Sequence, residues 1–188
     1  MRKALILCFL AFLVGCSPPW DTVTSDEGGY SIKMPSLFVV EQMLPIKTAL
    51  GSVNYQLVGS DPTRFKKFWP FWSGHGPYVV AHADFPRIRY SEDAIKRLFD
   101  HERDRLLDEA KKSNKKGSAL TAITLDKPIL FQGHPGREVS IMISDKKTSH
   151  TRMYFVDRRF YILYGTGKNL DTFFNSFTLL GDMHKGSP

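Results

Sequence analysis

GHPGREVSIMISDKKTSHTRMYFVDRRFYILYGTG, residues Gly133 to Gly167, is the stretch whose reading decides the fold. Val139, Ile141 and Ile143 alternate with Ser140, Met142 and Ser144. That period of two belongs to a strand, whose successive side chains point to opposite faces. His134-Pro135-Gly136-Arg137 is expected to be the turn that launches it. Pro135 would preset φ at the second position, and Gly136 would supply the positive φ a type II turn needs at the third. Asp145 to Ser149, short, polar and lysine-bearing, reads as a hairpin loop. Arg152 to Val156 and Phe160 to Tyr164 follow as two strands around an Asp157-Arg158 tip, apolar on both faces. An antiparallel sheet wetted on one side would show polar residues at every second position. Layers are therefore expected on both faces: an α+β fold, an antiparallel β-sheet flanked by helices in a three-layer α/β/α arrangement. The stretch itself reads as core.

Upstream, Tyr30 to Pro35 alternates and stops at a proline. Leu37 to Val40, Ile46 to Leu50 and Val53 to Val58 are short strand candidates, with Gly51-Ser52 as the turn between the last two. Tyr78 to Asp84 is another strand. Ser91 then starts a helix as an N-cap residue, with Glu92 and Asp93 favourably placed against its dipole. Ile95, Leu98, Phe99, Leu106, Leu107 and Ala110 form one apolar stripe, and Arg97, Asp100, Arg103, Asp104 and Asp108 read as a solvated opposite face. Leu120 to Leu125 and Ile129 to Phe131 are strands on either side of Asp126-Lys127-Pro128. Asn169 is placed to cap a short helix, Leu170 to Asn175, and Ser176 to Leu180 closes the domain.

The 188 residues are enough for one domain, 30–181 here, with a core of its own. Before it lies a leader, 1–15: Arg2-Lys3 followed by the apolar run Ala4 to Val14. Those eleven apolar residues fall short of the roughly 20 that span a bilayer. The ending Leu13-Val14-Gly15-Cys16 resembles the lipobox of bacterial lipoproteins. The resemblance implies cleavage after Gly15 and acylation of Cys16, whose chains would hold the protein to a lipid bilayer. Cys8 leaves with the leader, so the mature chain keeps no free thiol. Ser17, where an aspartate would signal retention at the inner membrane, points to the outer membrane facing the periplasm. Residues 16–29, rich in Pro, Ser, Asp and Gly, read as a tether from lipidated Cys16, and 182–188 as a tail. Losing Arg2 and Lys3 lowers the formal charge from +7 to +5, which suits an anionic surface. The leader takes the protein away from nucleic acid.

The insert at 60–77 breaks every periodicity. Arg64, Phe65, Lys66, Lys67, Phe68, Trp69, Phe71 and Trp72 combine cations with large aromatics. They are the candidate interaction surface, for a membrane or for an envelope protein partner; the alternative is a satellite core. Of catalytic signatures there is little. The six histidines form no metal-ligand spacing, and GxSxG, P-loop and strand-linked GxGxxG motifs are absent. Arg137 and Glu138 are adjacent on a strand and so face opposite ways, each separately paired. No cofactor, metal or enzymatic activity is expected.

Several phrases together resemble the PsbP-like family, the extrinsic photosystem subunit and its non-photosynthetic bacterial relatives. They are Gly29-Tyr30-Ser31-Ile32 with Met34-Pro35, Val79-Val80 to Asp84-Phe85-Pro86, Gly133 with Pro135 to Glu138, Arg159 to Leu163, and Asn175-Ser176-Phe177. The resemblance implies an antiparallel sheet with flanking helices and a non-enzymatic accessory role; the insert departs from it, and no photosynthetic feature is present. Two readings follow. One is a membrane-anchored lipoprotein acting as an interaction or accessory module of the cell envelope. The other is a carrier or sensor of a small lipophilic ligand held between sheet and helix, which a deep apolar pocket beneath the 91–112 helix would favour.

Overall fold

A computed structural model describes residues 20–35, 39–60, 75–113, 121–145 and 147–181. The leader, Cys16, residues 61–74 of the aromatic insert and the 182–188 tail lie outside them. Strands β3 (Val39–Thr48), β4 (Gly51–Ser60) and β5 (His75–Asp84) form one meander. Helix α1 (Glu92–Ser113) leads to a second, of β6 (Ala122–Phe131), β7 (His134–Ser144), β8 (Lys147–Val156) and β9 (Arg159–Gly167). The two meet where β9 pairs with β5, giving a seven-stranded antiparallel sheet in the order β3-β4-β5-β9-β8-β7-β6. A smaller sheet orders β1 (Trp20–Ser25), β2 (Tyr30–Pro35) and β10 (Thr178–Leu179) as β1-β2-β10, with α2 (Leu170–Asn175) beside it.

Both faces of the large sheet are covered, which is why its central strands lack polar alternation. On one face Tyr78, Val80, Tyr161 and Leu163 pack with Tyr30 and Phe173. On the other, Ala83, Phe160 and Ile162 pack with Leu98 and Phe99 of α1. The α+β expectation holds: the described residues are mostly antiparallel sheet, with two helices among them. The layer opposite α1 is mixed, the small sheet plus a six-residue helix, where a helical layer was expected.

Several local expectations change. Residues 20–25, read as tether, are β1, paired with β2 from Trp20 opposite Pro35 to Ser25 opposite Tyr30. Its outward Asp21, Thr22 and Thr24 gave it the look of a linker, while Trp20 and Val23 pack on the core. The β6–β7 turn is Gln132-Gly133, with φ 51° and 83°, the two positive values of a type I′ hairpin. Gly136 therefore lies inside β7. The β3–β4 turn is Ala49-Leu50, not Gly51-Ser52; the Thr48 hydroxyl donates to the Gly51 carbonyl at 2.8 Å and accepts from the Leu50 N–H at 3.1 Å. Pro45 and Pro128 interrupted the strands on paper but sit within β3 and β6, the two edges of the sheet, where a missing N–H is tolerated. β8 begins at Lys147, inside the expected loop, and buries Ser149 and Thr151.

Ser91 does cap α1, its Oγ accepting from the Ala94 N–H at 3.2 Å. Asn169 holds the N-cap place of α2 through a left-handed backbone, φ 62°, without a side-chain bond. The face of α1 expected to be solvated is partly a clamp. Arg137 donates to both oxygens of Asp126 at 2.5 and 2.7 Å and to Asp100 of α1, while Arg103 reaches Asp126 at 3.2 Å. Glu138 faces the other way and takes Lys127 at 2.9 Å and Arg152 at 3.1 Å, the separate pairing that strand geometry demanded.

Candidate functional site

Two features stand out, an end of the domain and a groove. β4 finishes with Ser60 opposite Tyr78, and β5 resumes with His75 opposite Gly167. The chain thus leaves for 61–74 and returns at one end of the sheet. Trp20, the first residue of β1, meets that same end: its ring lies 5.1 Å from that of Tyr78, edge-on at 73°. Tyr78 is fully buried and donates its hydroxyl to the Lys168 carbonyl, and burial pushes that hydroxyl up to about 12. Arg64, Phe65, Lys66, Lys67, Phe68, Trp69, Phe71 and Trp72, like Cys16, lie outside the described residues. What the structure fixes is where their flanking strands hold the two ends of the insert, beside a residue four positions after Cys16.

The groove, about 400 Å³, lies between the C-terminal half of α1 and strands β3, β4, β5, β7, β8 and β9. Leu44, Ile46, Leu57, Val79 and Leu106 wall it, and the small side chains of Ala81 and Ala110 leave its space. Its polar edge is Arg105, Glu109 and Ser149. Behind that edge is Glu102, whose side chain has no solvent exposure. Arg105 Nε donates to it at 2.8 Å and the Tyr55 hydroxyl at 3.4 Å. An unpaired carboxylate there would cost several kcal/mol. Burial first, then Glu102, push the Tyr55 hydroxyl far up. For Arg105 burial works downward, but Glu102 and Glu109 outweigh it and hold the guanidinium above its ordinary value. Sequence reading missed Glu102. The signal was present: Leu98, Glu102 and Leu106 are spaced by four, so a carboxylate interrupts the apolar stripe and needs a buried cation.

On the opposite face, His82 is 4% exposed, and its Nδ1 has no partner among the described residues. It borders a polar cleft with Glu27 and Gln56, beside Asp84, which Arg159 grips at 2.6 and 2.7 Å. Burial, then Arg159, lower the His82 pKa below its ordinary 6.5. The unfolded chain then binds the extra proton, so stability is full above about pH 6.5 and falls as pH drops through that value towards the lower folded pKa. His82→Gln should flatten the urea-midpoint profile in this window. An unchanged slope would assign the loss to another group.

No protein-family profile matches the chain. No curated protein matches it either. Among solved structures it is similar to cyanobacterial PsbP (CyanoP) from Synechocystis sp. PCC 6803, with a TM-score of 0.52 at 10% identity over 89% of this chain and 98% of that one. At that identity the likeness is one of fold, and the fold is PsbP-like, as the sequence phrases implied. A Pseudomonas aeruginosa protein of unknown function aligns at 11% identity over 81% of this chain and 85% of its own, with a TM-score of 0.31.

Proposed function

We propose that the protein is a lipid-anchored, non-enzymatic accessory module of the cell envelope, held with one end against its bilayer. The observation that carries this reading is the contact of Trp20 with Tyr78. A tether reaching Gly29 would have allowed roughly 45 Å of play. With β1 starting at Trp20, three residues separate the domain from Cys16, a span of at most roughly 14 Å when extended. The roots of the aromatic-basic insert sit at that same end. Arg64, Lys66 and Lys67 among tryptophans and phenylalanines suit a headgroup boundary, where cations meet anionic lipid and aromatic rings enter the interface. The PsbP-like fold supports an accessory role by resemblance, and the small sheet with α2 serves as the second outer layer of a three-layer scaffold. An outer-membrane address, from Ser17, belongs to the same proposal.

The chain from Ser17 onward should sediment with anionic vesicles. Lys66→Glu with Lys67→Glu should weaken that binding about tenfold at low salt, the gap closing as screening shortens the reach of the charges. Unchanged binding would remove the bilayer from the reading. Loss of a co-purifying envelope protein on Trp69→Ala with Trp72→Ala, with no vesicle binding in the parent, would assign the surface to a protein instead.

A further inference from the structure

We propose that the groove beneath α1 binds one uncharged lipophilic molecule, its apolar body along Leu57, Val79 and Leu106 and a hydrogen-bonding end at the Arg105–Glu109 edge. About 400 Å³ falls within the roughly 300–1,000 Å³ range of small-molecule sites. The walls are hydrocarbon, and the few polar groups converge at one edge, the usual division between affinity and orientation. Charge selects the head. Glu109 on the edge and Glu102 buried behind it both hold Arg105, at 2.6 and 2.8 Å, so two carboxylates face one guanidinium there. A carboxylate or phosphate head would meet that excess of negative charge, and Arg105 is already engaged twice. A hydroxyl head can donate to the Glu109 carboxylate without adding charge.

Position supports the same ligand class. Tyr164 pairs with Val79, and Ser149 with Thr166, close to the end where Ser60, Tyr78 and Gly167 meet. The groove therefore occupies the half of the helix face nearest the insert and the chain's approach from Cys16. A lipophile leaving a bilayer would travel only a short way to reach it. The ligand-carrier reading thus acquires a site, and it does not rest on bilayer docking by the insert: vesicle binding and groove binding can each fail while the other persists.

N-phenyl-1-naphthylamine and its 8-sulfonate, 1-anilinonaphthalene-8-sulfonate, share one apolar body and differ by a charge. Titrated into the full chain, the neutral dye should show saturable blue-shifted emission, with the sulfonate at least tenfold weaker. Ala110→Phe and Leu106→Trp, which fill the groove, should each lower neutral-dye affinity at least tenfold with far-UV circular dichroism retained; leader and anchor are common to all arms, so the difference reads the groove. In the unaltered chain, a long-chain alcohol bearing a diazirine should attach to peptides containing Leu106, Ala110 or Tyr164. Equal dye binding by parent and filled variants, or attachment elsewhere, overturns the site. Equal affinity for dye and sulfonate overturns the assignment of an uncharged ligand.

Discussion

Gly136→Val is expected to lower the melting temperature by roughly 6–12 °C, since overpacking of this kind costs up to about 3 kcal/mol and each kcal/mol shifts a domain of this size by about 2–4 °C. The reason is contact, not backbone conformation, because Gly136 lies in extended β7. A Cβ there would stand 2.7 Å from the Met153 carbonyl oxygen and 2.7 Å from Tyr154 Cδ1, with Ile129 Cγ1 at 3.1 Å. The carbonyl belongs to the pairing of β7 with β8 and cannot retreat without opening it. Nor can the Tyr154 ring, which packs in a mutual cluster with Phe131 at 4.6 Å and Phe177 at 5.8 Å, the latter two 5.3 Å from each other. Gly136→Ala should cost less, because it adds the clashing atom without its two methyls. Phe160→Ala, emptying a fully buried position against Tyr55 and Phe99, should cost about 3–5 kcal/mol. Thermal melts that place Gly136→Val level with the parent would show that this stretch of β7 is not packed as described.

Cys16→Ala is expected to abolish incorporation of a palmitate analogue and to leave the chain either unprocessed or released from the membrane fraction. The apolar run from Ala4 to Val14 is too short to span, and Cys16 is the one cysteine that would remain after the proposed cleavage at Gly15. No helix among the described residues is long and apolar enough to cross a membrane. A single acyl chain gives marginal attachment and two give a stable one, so losing the modified cysteine should change partition by orders of magnitude. Unchanged labelling and fractionation would leave the membrane-facing end without its premise.

What the sequence determined by itself was whatever is encoded within a few residues. The period of two in β2 and β7, the Ser91 cap, the apolar stripe of α1, the place of α2 and the doubly apolar β8 and β9 all follow from local chemistry. Tertiary structure decided what depends on partners far along the chain. Residues 20–25, mostly polar outside Trp20 and Val23, became a strand because β2 was there to pair with them. Proline-bearing β3 and β6 stayed whole because they fell on the edges. Gly136 proved to be a glycine for the sake of the Tyr154 ring, and Glu102 could be buried because Arg105 and Tyr55 close around it. The groove was invisible for the same reason: its walls come from β3, β4, β5, β7, β8, β9 and α1, and a space among distant segments exists only once burial of their remaining surface has fixed the distances between them.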